Sequence, residues 1–580
     1  MQPTSLPLVD EILNPLQPDS IAVAPPPLLP LDLPTTPPEP DFPKTVELKA
    51  PSLSSTSSTC RVHPSIRPSA PVVRPLSIFD TAASAYPSFS AVKVFPPPLP
   101  AAQDSFEPSL LSASLAHILS AYPHLAGKLR LPRPDDAGRP YQKRYGRVWV
   151  EYGGQEDPGV SFSFAQLDES VKSRLPREAG ERITDFGGLC DAPLVPDAAE
   201  VVEGRPSGAQ HPSLAVRVTR FSDGAAVFAL RIPHILADAT TLNRFVSDWG
   251  DVHRALLLTG STSSIPLPSR PLSTEALDAF SAGDLDAPFP DSEIKAQYGL
   301  LPRLEYDMWA HPELHPPGMV QSSALDPAVA AEDAARGGER GEPAPWSTWD
   351  FTAPSILRII ELSSEEVRRI WRRAQASLDA SAGPANSVKI TAHDAVVAHF
   401  WRLSIRARDL QPTTTVNLIT GVSARSRLAP SLPPTSVGSL TFGARTHISA
   451  GDLVSPTGTS TAAALLRHCV NAATPPNIGV ILHHTAHQID PLRVATFFAG
   501  STHLGVTSWV HSGSYAADFG TGRPLCSTGA IAPADGFGFV DDVPGEAVEG
   551  QRWWERGATM MLSLRTDVME RVLADPELRG

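Results

Sequence analysis

A mixed α/β fold in two globular halves is what this sequence of 580 residues predicts, and three observations predict it. The length and a hydrophobic content of 42% suffice for two large cores. Amphipathic helical stripes and short alternating runs follow one another through both parts of the chain. A stretch of Pro, Gly and acidic clusters, 288–347, interrupts the pattern and reads as a crossover between the halves.

The elements follow in chain order. Residues 1–75 are rich in Pro, Ser, Thr and Leu without sustained periodicity, as in Ala24-Pro25-Pro26-Pro27, and are expected to be a disordered extension. The first ordered half is expected over 76–287, beginning near Leu76-Ser77-Ile78-Phe79-Asp80. Leu111, Leu115, Ile118, Leu119 and Tyr122 recur at helical spacing, with Pro123 and Gly127 marking the exit. Leu214, Val216 and Val218 alternate, turn at Ser222-Asp223-Gly224, and return through Ala225 to Ile232 as a hairpin that Pro233 ends by withholding a backbone donor. Phe245, Trp249, Val252 and Leu256 then line one stripe of a helix. The second half, 348–580, opens with two helix starts, Ser363 with Glu366 and Thr391 with Asp394, each in a capping-box pattern. Val416, Leu418 and Thr420 alternate as a strand before Arg425, and Val480 and Leu482 lie near a further strand candidate.

The most informative segment is His234-Ile235-Leu236-Ala237-Asp238, which puts an imidazole directly after an apolar strand and a carboxylate four residues on. A neutral imidazole accepts a proton at neutral pH, so His234 is the candidate general base. Downstream, Asp518-Phe519-Gly520-Thr521-Gly522 forms a second, glycine-bearing signature. In this order the pair resembles the BAHD family of CoA-dependent acyltransferases. Leu76 to Asp80 looks like the family's opening strand, and Ala121-Tyr122-Pro123-His124-Leu125-Ala126-Gly127 resembles its "YPLAGRL" segment. Ala398-His399-Phe400-Trp401 is similar to its "AHxW" helix, and Arg425-Ser426-Arg427-Leu428 with Pro430, Pro433 and Gly438 resembles the stretch after it. Thr507-Ser508-Trp509 ahead of Asp518 is similar to the family's "SW…DFGWG" run, so the likeness covers about 75 to 578.

The resemblance implies two chloramphenicol-acetyltransferase-like domains with mixed sheets and a channel between them, where donor and acceptor meet at His234. It implies that Asp238 points away from substrate and pairs with an arginine, and that Asp518, with Gly520 and Gly522 in its loop, pairs with Arg425. It implies acyl-CoA as co-substrate with no bound cofactor and no metal, a hydroxyl or amine acceptor on a small, specialised metabolite, and a monomer. Thr507 and Trp509 are the candidates for stabilising the thioester oxyanion, with ordinary core or strand roles as the equal alternative. Three positions depart from the family pattern: Ala239 follows the aspartate in place of glycine, Ser439 replaces a common asparagine after Gly438, and Thr521 replaces the tryptophan of DFGWG. Those changes motivate a second reading, a catalytically silent acyl-CoA-binding or scaffold protein. A stand-alone condensation-type domain is a third reading, opposed by Pro233 where that motif has a first histidine.

Several classes are disfavoured. A formal net charge of -14 opposes non-specific nucleic-acid binding. The four cysteines, Cys60, Cys190, Cys469 and Cys526, lack zinc or redox spacing and read as reduced thiols. With no apolar run near membrane-spanning length and no leader pattern, a soluble cytoplasmic protein is expected. His483, His484 and His487 sit at helical spacing, but no glutamate follows the first in the metalloprotease pattern, so no metal is expected there.

Overall fold

The computed structural model describes residues 58–98, 104–174, 182–185, 187–190, 194–202, 211–315, 329, 331, 341–383, 387–488, 493–530, 534–546 and 550–580. The chain divides into two units, 1–52 and 53–580, of which the first lies outside the described residues. The strands of the second unit's first part are β1 (Ser58–Val62), β2 (Val72–Pro75), β3 (Phe89–Phe95), β4 (Lys128–Arg130), β5 (Trp149–Tyr152), β6 (Val160–Leu167), β7 (Ile183–Asp185), β8 (Ala215–Phe221) and β9 (Ala226–Ile232). Its later strands are β10 (Tyr306–Asp307), β11 (Glu342–Pro343), β12 (Ser355–Leu362), β13 (Thr415–Ser423), β14 (Thr441–Ser449), β15 (Val494–Ala495), β16 (His503–Ser508), β17 (Cys526–Ala530), β18 (Phe537–Asp541) and β19 (Ala558–Arg565).

Two mixed sheets dominate. The first runs β1-β6-β8-β9-β3-β17 and the second β14-β13-β16-β18-β19-β12-β7. Each sheet ends on a strand from the other half of the sequence: β17 pairs antiparallel with β3, and β7 with β12. The helices Pro108–Leu119 and Ala239–Thr259 cover the first sheet, burying Leu111, Leu115, Ile118, Phe245 and Trp249 in one apolar cluster with Phe228 and Leu230. The helices Ser364–Ala382 and Ala392–Arg408 do the same for the second sheet. A further apolar cluster, including Val92, Val94, Val227, Leu357, Ile359 and Met561, lies between the sheets and joins the halves.

The expected hairpin, helix stripe and both capping boxes are present. Two expectations need correction. Residues 58–75 do not belong to a disordered extension, because β1 pairs with β6 and β2 with β5. Four of the five β1 side chains are exposed, so an edge strand held by backbone bonds leaves no alternation to read. Residues 1–57 lie outside the described residues. Val480 and Leu482 sit in the helix Pro475–His487, which Thr474 caps and Pro475 starts, rather than near a strand. The crossover carries a helix, Ser292–Tyr298, and the short strands β10 and β11, while 316–328 and 332–340 lie outside the described residues.

Candidate active site

His234 stands just past the end of β9, half-buried, where Pro233 has stopped the ladder. Tyr86 and Phe89 hold its ring edge-on and tilted, with centroids 5.3 and 4.9 Å away. Its Nδ1 lies 3.1 Å from the Oγ of Ser439, a residue with no exposed surface. Burial pulls the imidazole pKa below its ordinary 6.5, Asp238 opposing this, so the ring is neutral at pH 7.

Two buried carboxylates fix the segment that presents Ser439. Asp80 accepts the Ser439 N–H at 2.6 Å, and Asp238 accepts the Leu440 N–H at 3.1 Å. Between them the Gly438 carbonyl takes hydrogen bonds from Thr241 Oγ1 at 2.8 Å and from Arg425 Nη2 at 3.1 Å. Gly438 has a φ of 125°, and a Cβ there would lie 2.8 Å from Asp80 Oδ1, so only glycine lets the segment come this close. Asp80 in turn closes a capping box with Ser77 at the helix Ile78–Ala82. Burial raises its pKa to about 6 despite those hydrogen bonds.

Asp238 has a structural task as well as an electrostatic one. It caps the helix Ala239–Thr259 by accepting from Thr241 N at 2.9 Å, and both its oxygens pair with the Arg425 guanidinium. The resemblance implied an arginine partner for this carboxylate, and the structure supplies Arg425 in that place. The expected pair of Arg425 with Asp518 is therefore not formed. Asp518 folds its own loop instead, accepting from Gly520 N at 2.8 Å and Gly522 N at 3.0 Å through Oδ1, while Oδ2 meets Arg254 at 3.1 Å. Phe519 anchors that loop in the first core, 4.6 Å from Phe228 and 4.9 Å from Trp249 between ring centroids. The backbone of Asp518 also passes so close to Gly250 that a Cβ on Gly250 would lie 2.7 Å from the Asp518 carbonyl oxygen.

Thr507 lies on β16, half-buried, and Trp509 follows the strand, packed with its ring 5.9 Å from Phe539 and perpendicular to it. No hydrogen bond or ring contact joins either of them to His234 among the described residues. Asp80, Tyr86, Phe89 and Thr241 were not singled out from the sequence. Ser77 three residues before Asp80 is a readable cap signal, but its contact with a residue 359 positions away is not. Among the described residues no His, Cys, Asp and Glu group is arranged to hold a metal, and His483 and His484 are engaged by Ala282 O and Glu305.

Comparison with known proteins identifies the family of the chain. The family profile described as "Transferase family" matches residues 156–295 and 353–575, more than half of the chain. The chain is 22% identical over 537 residues to Acyltransferase AFT15-1 of Alternaria alternata, covering 90% of this chain and 96% of that one. It is 24% identical over 475 residues to hydroxycinnamoyl-CoA:5-hydroxyanthranilate N-hydroxycinnamoyltransferase HHT4 of Avena sativa, covering 81% and 86%. In fold it is similar to F. sporotrichioides TRI101, solved with coenzyme A and T-2, at a TM-score of 0.55 and 15% identity, covering 87% of this chain and 98% of that one. On the profile match, which spans more than half of its residues, the chain belongs to the transferase family of BAHD-type acyltransferases.

Proposed function

We propose that this protein transfers an acyl group from acyl-CoA to a hydroxyl or amine of a small, specialised metabolite, with His234 as general base. The observation that carries this is the His234 Nδ1 to Ser439 Oγ contact in a site that keeps the imidazole neutral. With its proton on Nδ1 and donated to Ser439, the ring keeps a lone pair on Nε2 for an incoming proton. Nε2 takes the proton from the acceptor as its oxygen or nitrogen bonds to the thioester carbon. The C–S bond then breaks and the imidazolium returns the proton to the departing sulfur, so no covalent acyl-enzyme forms. Thr507 and Trp509 are the proposed donors to the developing oxyanion, where one well-placed donor contributes roughly 3 kcal/mol. Support for a CoA donor comes from the similarity to a hydroxycinnamoyl-CoA:5-hydroxyanthranilate N-hydroxycinnamoyltransferase and to TRI101, solved with coenzyme A.

The test is free-thiol release from acetyl, long-chain and aromatic acyl-CoAs mixed with pooled alcohols and amines. Release should require both an acceptor and His234, and His234→Ala should lower it by at least ~100-fold. Acyl-CoA binding with no release across the panel would overturn the transferase reading in favour of a silent binder.

A further inference from the structure

A cavity of about 190 Å³ opens between the two sheets beside β17, and its lining is unlike a site for an anion. Its walls include Trp509, Tyr515 and Phe539, two carboxylates, Glu361 and Asp541, and Ser527. No lysine, arginine or histidine lines it among the described residues. Asp541 is 6% exposed, and its Oδ2 has no hydrogen-bond partner. A buried carboxylate oxygen left unpaired is costly and is relieved by a donor, most of all a charged one. Aromatic faces attract the same kind of group.

Lys93 is the cation nearest in effect. It lies with no exposed surface on β3, behind β17, donating to Ser527 Oγ at 2.8 Å and to the Ser514 carbonyl, and it does not line the cavity. Burial draws its pKa down to about 7, while burial raises that of Asp541 to about 7, with the Ser514 hydroxyl and Lys93 favouring the ionised carboxylate. A cation entering the cavity would meet the unpartnered Oδ2 of Asp541, since Lys93 gives its hydrogen bonds to Ser527 and Ser514.

Strand register relates this cavity to the base. Phe89 packs on His234, Gly529 at the cavity pairs with Ala91, and Ser527 pairs with Lys93, four residues beyond Phe89. The Ser527 end is therefore ~13 Å along the strand from the level of His234. We propose that this cavity is an acceptor subsite for a protonated aliphatic amine, held by Asp541 against the aromatic wall while a second, nucleophilic group of the same molecule reaches His234. The proposal deepens the acyltransferase reading and rests on it. The carboxylate lining opposes the phosphates of CoA and acceptors that carry a carboxylate there.

Isothermal titration calorimetry on the full chain saturated with CoA tests it, using three probes of one length: 8-amino-1-octanol, 1,8-octanediol and 8-hydroxyoctanoate. The amino alcohol should bind at least ~10-fold tighter than the other two, and Asp541→Asn should reduce that preference to within ~2-fold while CoA affinity stays unchanged. Equal binding of the three probes, or a preference that Asp541→Asn leaves intact, would overturn the proposal, as would a selective loss of CoA affinity in that variant. If Asp541→Asn does not fold, the wild-type protein decides with the same probes at two salt concentrations: an amine preference of at least ~10-fold that weakens as salt rises supports the subsite, and equal binding of the three probes overturns it. Amine preference without thiol release in the activity assay would sink the transferase reading alone; thiol release without amine preference would sink this subsite alone.

Discussion

The Ser439 hydroxyl reaches His234 because the 438–440 segment is drawn in by Asp80 and Asp238. Removing that hydroxyl should free the imidazole tautomer without emptying the site. Ser439→Ala is expected to lower kcat by ~5–10-fold, the equivalent of one net hydrogen bond, with KM for acyl-CoA unchanged and partial rescue in Ser439→Asn. A purely structural role would move thermal stability and leave the pH profile alone, whereas this role shifts the acid limb of kcat/KM. That limb falls below the ordinary histidine value of 6.5, because burial depresses the His234 pKa. Asp80 makes a separate, thermodynamic prediction. Its folded pKa of about 6 exceeds the ordinary 3.8, so the folded state binds the extra proton between those values. Its contribution, on the order of 3 kcal/mol, is complete below pH 4 and is lost as pH rises through 6. Chemical denaturation across pH 4 to 7 should show that decline in wild type and a flatter curve in Asp80→Asn. At this scale His234 and Asp238 were legible because four residues separate them, while Ser439 and Asp80 act across folds of the chain that no local spacing encodes.

The two signature loops differ in what their carboxylates hold, and so in what losing each costs. Asp238 caps the helix Ala239–Thr259 and pairs with a mostly buried arginine, whereas Asp518 ties together a half-exposed loop and meets a surface arginine. Asp238→Asn leaves the Arg425 charge without its partner and should cost ~3–5 kcal/mol, seen as loss of folded protein on expression. Asp518→Asn leaves two loop N–H groups weakly held and should cost only ~1–3 kcal/mol, lowering Tm with kcat within a factor of two. Equal losses from the two variants would contradict this division of labour. Both motifs and their loops were readable as local patterns, including the helix stripe from Phe245 to Leu256. Partner choice was not, since Arg425 is 187 residues from Asp238 and 93 from Asp518, and the fold closes the longer separation while Asp518 meets Arg254. Val480 and Leu482 misled for a simpler reason: a short apolar run fits strand or helix until Thr474 and Pro475 are seen to start the helix.

For the molecule as a whole, the reciprocal exchange of β7 and β17 makes two halves of sequence into one structure. Without β17 the first sheet exposes the free edge of β3, including the buried Lys93, whose hydroxyl acceptor on Ser527 belongs to that strand. Without β7 the second sheet exposes the edge of β12, and the apolar cluster between the sheets loses one face or the other. Such edges and stripped apolar surface favour association over folding. Neither exchanged strand was visible beforehand, since β7 is three residues long and β17 is rich in small residues, and short strands that complete a foreign sheet carry little periodicity of their own. The two readable halves are therefore expected to fold as one cooperative unit. Calorimetry of the full chain should show a single cooperative transition whose calorimetric and van't Hoff enthalpies agree. Fragments 53–315 and 341–580 expressed apart should be largely insoluble. Two resolved transitions, or a soluble first fragment with a sharp melt of its own, would show that the sheets stand without each other's strands.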